Sequence, residues 1–162
     1  MAKSLISTGT VATNRKARFN YEILETFEAG IVLTGGEVKS LRAGHATINE
    51  SYADTENREL FLVNAHIAEY LGAKGGFVQE KSSRPRKLLL HEKELNKIFA
   101  AIEQKGKTVI PLELYFNARG IAKVKIALAV GKNMADKRED IKKRDWNREK
   151  QRILAHYNNG KK

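Results

Sequence analysis

The stretch 108-TVIPLELYFNARGIAKVKIALAV-130 decides the fold. Each half alternates at the two-residue period of a strand with one buried face, and the break between them runs from Asn117 to Gly120, residue types that accept tight-turn geometry. The reading is an antiparallel hairpin. Just before it, HEKELNKIFAAIEQKG at 91–106 puts Leu95, Ile98, Phe99 and Ile102 at i, i+3, i+4 and i+7, with Gly106 past the end. That spacing predicts an amphipathic helix with one face to bury, with His91 at its start.

Further upstream, YEILETFEAGIVL at 21–33 places Tyr21, Ile23, Glu25 and Phe27 opposite Glu22, Leu24, Thr26 and Glu28, which predicts a long half-buried strand, bent at Gly30. In TGGEVKSLRAG, Thr34 and Glu37 stand at capping-box spacing and Val38 with Leu41 supplies a short apolar side before Gly44, so one to two turns of helix are expected. ATINESYAD and ELFLVNAHIAEY read as strands with a turn at Glu56 and Asn57. Residues 72–84, with Gly75, Gly76 and a Ser pair, read as loop, and residues 1–19 as a mobile arm. The fold class is therefore mainly β with helices (α+β). Mostly antiparallel strands of this number close best into a small barrel of oligonucleotide-binding type, plugged by the amphipathic helix, because closure removes exposed edges. An open α+β sandwich with the helix on one face is the alternative.

At 162 residues the chain suits one domain plus an appendage, and 30 Lys and Arg against 19 Asp and Glu give a net charge of +11. Such a balance favours polyanionic partners. Cysteine is absent, so no disulfide or thiolate chemistry arises, and neither a transmembrane stretch nor a signal-peptide h-region is present; a cytoplasmic protein is expected. His45, His66, His91 and His156 lack metal-ligand spacing, and there is no phosphate-cradling GxxxxGK[ST] or nucleophile elbow. No catalysis, cofactor or metal is expected; a metal nuclease on Glu28, Glu37 and Glu50 is the one catalytic alternative.

Residues 131–162 carry eleven Lys and Arg against five Asp and Glu, +6 of the total, while the first 130 residues carry +5. Glu139 with Lys143 and Asp140 with Arg144 are acid-before-base pairs that support a helix by about 0.2–0.5 kcal/mol each. The apolar face is broken: Met134 and Ile141 form one stripe, Trp146 and Ile153 another at a different angle. A helix without a continuous face to pack is expected to be disordered alone and to order on a partner.

The segments NRKARFNYEILETFEAGIVLTGGEVKSLRAG, RKLLLH, KVKIALAVGK, DKR and RDWNREK, in this order, resemble the tmRNA-binding protein family of trans-translation, also called SsrA-binding proteins. The resemblance spans nearly the whole chain. It implies a non-enzymatic barrel domain over 1–130, with a flexible arm, that binds the tRNA-like part of tmRNA, and a basic tail over 131–162 that lies as a helix in the empty mRNA channel of a stalled ribosome, near the decoding region. Partners would be tmRNA and the small ribosomal subunit, with no membrane and no small-molecule substrate. Carried over onto this sequence, the RNA-binding residues would be Asn14, Arg15, Lys16, Arg18, Tyr21, Glu28, Lys123 and Lys125. Cations suit phosphates, Asn and Glu suit base edges or 2′-hydroxyls, and Tyr suits stacking. The basic run Arg84, Arg86 and Lys87 adds a second candidate patch. Leu88, Leu89 and Leu90 read as core. The ribosome-binding tail would use Gly131, Lys132, Asp136, Lys137, Arg138, Lys142, Lys143, Arg144, Trp146, Arg148, Lys150 and Arg152. Asn133 and Ala135 depart from the family pattern of a second Lys and an aromatic or His residue, and alanine cannot stack on a base. A general single-strand RNA binder or a ribosome-associated protein is the other reading.

Overall fold

The computed structural model describes residues 5–70, 77–78, 82–132 and 134–159; the expected loop glycines Gly75 and Gly76, and Asn133, lie outside the described residues. In chain order the elements are β1 (Gly9–Thr13), α1 (Ala17–Asn20), β2 (Tyr21–Ile31), α2 (Gly35–Arg42), β3 (Ala46–Thr47), β4 (Tyr52–Glu56), β5 (Glu59–Val63), β6 (His66–Ile67), β7 (Glu69–Tyr70), β8 (Phe77–Val78), β9 (Arg86–Leu89), α3 (Glu92–Ile102), β10 (Lys107–Phe116), β11 (Ala122–Gly131) and α4 (Met134–Asn159).

The hairpin forms as read, with β10 and β11 paired antiparallel from Lys107↔Val130 to Phe116↔Ala122. Asn117 closes the turn: its side-chain oxygen accepts the backbone N–H groups of Arg119 at 2.9 Å and Ile121 at 3.0 Å, and Gly120 takes the positive φ of 75° that the reversal requires. Strand β2 pairs with β11, then β9, β5 and β4 follow, and β4 returns to β10 through Val109↔Ala53. Six antiparallel strands thus close into a ring. Phe27, Leu60, Leu62, Leu114, Val124 and Ile126 fill it from the strands, with Leu41 of α2 and Ile98 of α3 added to the same cluster.

Strand β10 carries β1 and β4 along its length, β1 opposite Glu113 to Phe116 and β4 opposite Val109. Between them the register with β11 shifts across Pro111 and Glu113, as expected where proline interrupts a ladder. Asn14 fills that gap: its amide donates to the Pro111 carbonyl at 3.1 Å and its backbone N–H to Leu112 at 2.9 Å. The expected arm is accordingly ordered from β1 onward, because β10 has backbone groups there for it to satisfy. Ala17 of α1 then covers a second small core with Ile110, Leu112, Ala127 and Ala129, against which Tyr21 and Ile23 pack.

Three other expectations change. The run ATINESYAD is broken into β3 and β4 because Ser51 bonds locally, its hydroxyl donating to the Ile48 carbonyl at 2.7 Å. Gly30 stays within β2; a side chain there would come within 3.3 Å of Leu89, so its role is close strand approach. The turn after β4 uses Asn57 and Arg58, both at positive φ, one residue later than expected. In α3 the face of Leu95, Ile98, Phe99 and Ile102 packs on the core as its spacing requires, with Ile98 at the centre.

Helix α2 begins with the capping box, Thr34 N–H to Glu37 Oε1 at 2.9 Å and Glu37 N–H to Thr34 Oγ1 at 3.2 Å. The same Glu37 carboxylate pairs with Arg84 and with the wholly buried Arg86. Arg86 spends its other donors on the carbonyls of Ala65 (2.8 Å), Ser82 (2.7 Å) and Arg84 (3.1 Å). Burial pushes the Glu37 carboxyl up, but the Thr34 N–H and the two guanidiniums outweigh it and hold it below its ordinary value.

The tail is one helix, α4, and among the described residues it is joined to the ring between Lys132 and Arg144. Lys132 donates from its backbone to Asn20 at 2.9 Å and from Nζ to the Arg18 carbonyl at 2.9 Å, and pairs with Asp140; the Arg144 guanidinium lies 5.4 Å from the Phe19 ring. Beyond Arg144 the described side chains are exposed, Trp146 at 63% and Ile153 at 60%.

The Glu37→Gln variant leaves Arg86 buried beside a neutral group, and urea unfolding at pH 7 is expected to show a loss on the order of 3–5 kcal/mol. Because the Glu37 pKa is lowered, its contribution is complete above 4.5 and disappears as pH falls through the folded-state value. The deficit of the variant relative to wild type should therefore narrow in acid.

Candidate nucleic-acid interface

The register of β10, β11 and β2 writes a row of side chains across one face of the sheet: Glu113↔Lys125↔Glu28, and beside it Tyr115↔Lys123↔Gly30. Two lysines flanked by carboxylates would normally pair with them. Here both acids are already occupied by hydroxyls, Glu28 accepting from Tyr115 and Glu113 from Thr10. Among the described residues Lys123 and Lys125 form no ion pair, and neither do Arg15, Lys16 and Arg18, which are exposed around α1. Recesses join these groups into one surface: Arg15 and Arg18 line a hollow with Glu113 and Lys125, Lys125 shares the next with Tyr115 and Glu28, and Glu28 shares a third with Lys123 and Leu89.

The Tyr115 phenol is raised above its ordinary value by burial, by its hydrogen bond to Glu28 and by the charges of Glu28 and Glu113. It stays a neutral donor at physiological pH and keeps Glu28 turned toward it. An anion that reaches the face thus meets free cations while the two acids are held aside.

The sequence-predicted residues divide. Arg15, Arg18, Glu28, Lys123 and Lys125 are on this surface, while exposed Lys16 and half-buried Tyr21 line a separate recess beside α1. Asn14 is buried and holds Pro111, so part of its role is structural. The basic patch at 84–87 is corrected: Arg86 has no exposed surface, Arg84 pairs with Glu37, and Lys87 pairs with Glu59 at 3.2 Å. Only Arg86 is interior; Arg84 and Lys87 keep part of their side chains exposed at the surface, where α2 and β5 bring acids to them. Lys132 is likewise turned inward, onto Arg18 and Asp140, rather than outward with the rest of the tail. Arg138, Lys142, Lys143, Arg148, Lys150 and Arg152 are exposed on α4 with Trp146, Arg144 is over Phe19, and Gly131 ends β11; the side chains of Asp136 and Lys137 lie outside what is described. The catalytic alternative on Glu28, Glu37 and Glu50 fails because Glu37 is committed to two arginines.

Sequence reasoning missed Tyr115, Glu113, Thr10 and the half-exposed Leu89, read above as core. The signal for the first two was available: counting outward from the turn pairs Tyr115 with Lys123 and Glu113 with Lys125.

A closed antiparallel ring with cations unpaired among the described residues, a locked tyrosine and a basic helix defines a polyanion-binding β protein. More particularly, the chain belongs to the SmpB protein family, whose family model matches residues 11–156. The SsrA-binding protein of Afipia carboxidovorans is 59% identical over 144 residues, 89% of this chain and 90% of that protein. That of Bradyrhizobium diazoefficiens is 58% identical over the same span and shares. A chain in the solved structure "tmRNA-SmpB: a journey to the center of the bacterial ribosome" matches with a TM-score of 0.63 at 48% identity, covering 83% of this chain and 94% of that one.

If Glu28 sets the Tyr115 phenol, Glu28→Ala should bring its titration back toward the ordinary tyrosine range, since a hydrogen bond and a neighbouring charge leave together. Carbon-13 NMR of the tyrosine Cζ resonances against pH reads this directly; an unmoved Tyr115 would contradict the assigned pairing.

Proposed function

We propose that the chain is a non-enzymatic adaptor that binds the tRNA-like domain of tmRNA and delivers it to stalled ribosomes for trans-translation. The observation that carries the reading is that Arg15, Arg18, Lys123 and Lys125 share one face of the ring with no ion pair among the described residues, in a chain whose second concentration of basic charge is an exposed helix. Its family membership, and the tmRNA complex in which a similar chain was solved, agree with it.

In this reading the ring is an oligonucleotide-binding-type barrel over 1–130, and Arg15, Lys16, Arg18, Lys123 and Lys125 position phosphates while Asn14, Tyr21 and Glu28 contact bases or riboses. Residues 131–162 enter the empty message channel, where ribosomal RNA supplies the partner that the solvated α4 lacks. A helix with no packed face gains little from propensity alone, so its order depends on that partner, and the tail reports the absence of message. The work is cytoplasmic, as the ribosome is. No helix among the described residues is long and apolar enough to cross a membrane.

Sequencing the RNA recovered with the tagged protein should give one dominant tmRNA species; a spread of unrelated RNAs would favour a general single-strand binder. Replacing Lys123 and Lys125 together with Ala should flatten the slope of log affinity for tmRNA against log salt by roughly 1.4, two contacts at the single-strand coefficient. Truncation after Val130 should leave tmRNA binding in a gel shift within about twofold while abolishing tagging on stalled ribosomes. Loss of both together would refute the division of labour.

A further inference from the structure

A further recess opens beside α1, apart from the three on the cationic face. It measures about 410 Å³ and is lined by Asn14, Lys16, Asn20, Tyr21, Asn49 and Tyr52, with Ile110 as apolar floor. Pockets of this size take single small ligands rather than a duplex.

Its chemistry is that of a nucleotide site. Tyr52 stands at the start of β4 with 43% of its surface open, while its backbone is fixed opposite Val63. An exposed aromatic ring on a rigid strand is a stacking platform for an unpaired base. Hydrogen-bonding groups surround it. Asn49 and Glu50 are exposed on a turn that is pinned twice, by the Ser51 hydroxyl on Ile48 at 2.7 Å and by the Asn64 amide on the Glu50 carbonyl at 3.1 Å. Asn14 is held from behind by its amide bond to Pro111, and its side-chain oxygen has no donor among the described residues. No buried side-chain polar atom among the described residues lacks a partner, so that oxygen must keep accessible surface, which the recesses beside it provide. Lys16 has no ion pair among the described residues and lines the same recess, within reach of a phosphate beside the base.

The recess shares Asn14 with the hollow that holds Arg15 and Arg18, so a strand lying on the cationic face can turn one nucleotide into it. We propose that it is a subsite for a single unpaired nucleotide of the bound RNA: the base stacks on Tyr52, its edge meets the amides of Asn14, Asn20 and Asn49, and Lys16 takes the phosphate. This rests on the RNA-binding reading above and extends its footprint to the 49–52 turn and β4.

The test has two arms. In the first, nitrogen-15-labelled full-length protein is titrated with AMP, CMP, GMP and UMP separately. At least one should shift the amides of Asn20, Asn49 and Tyr52 in a saturable way, and Tyr52→Ala should abolish the shifts while Tyr52→Phe retains them. Shifts confined to the surroundings of Lys123 and Lys125 would overturn the subsite. In the second, filter binding of tmRNA to Tyr52→Ala should weaken by about fivefold or more, the lower bound for one stacked base, with an unchanged salt slope because no charge is removed. Asn49→Ala, on an exposed turn, should also weaken binding and serves if Tyr52→Ala does not fold. Wild-type affinity in folded Tyr52→Ala or in Asn49→Ala would overturn the proposal, and with a positive first arm would indicate a free mononucleotide instead. Failure of wild type to bind tmRNA would strike the functional reading, whereas the first arm would still judge the recess.

Discussion

The buried guanidinium of Arg86 is the constraint on which the ring depends. A charge with no exposed surface is tolerated only when it is paired and hydrogen-bonded, and the partners of Arg86 come from α2, the segment after β5, Ser82 and Arg84 just ahead of β9. None of these segments can leave without stranding the charge. The demand is strongest on Glu37, which caps α2 and neutralises two arginines at once. Local helix chemistry and long-range sheet assembly therefore share one carboxylate.

A similar economy shapes the surface. The strands bring Glu28 and Glu113 to either side of Lys125, an arrangement that would normally end in surface ion pairs. Neutral hydroxyls from Tyr115 and Thr10 occupy the acids instead, and the lysines stay available. The contrast with Arg84 and Lys87 is instructive: these have the same residue types and higher local charge density in the sequence, yet each is paired with an acid. Availability of a cation is a property of its neighbours in space, which for Arg84 lie 47 residues away in the chain.

The segment from Asn14 to Asn20 connects the two functional regions. It is fastened to β10 through Asn14, carries Arg15, Lys16 and Arg18 into solvent, and offers the carbonyls of Arg18 and Asn20 to Lys132 at the root of the tail. Phe19 receives Arg144 about three turns into α4. The direction in which the tail leaves the ring is thus set by the same short helix that presents cations to the proposed RNA.

The sequence by itself determined the elements with a strong local signal: the hairpin through its alternation and turn residues, α3 through its apolar spacing, α2 through the Thr34 and Glu37 box, and the basic character of the tail. These follow from contacts a few residues apart or from composition. It also held the family pattern and most of the cationic face, because Lys123 and Lys125 lie on one strand and Arg15 to Arg18 on one turn. Tertiary structure alone decided that Arg86 is interior, that Asn14 fills the break at Pro111, that the arm becomes β1, that Lys132 turns inward, and that Tyr115 restrains Glu28. Each of these joins groups far apart in the chain. Whether a polar side chain faces water or a partner is fixed by ring closure, which no local window of sequence contains.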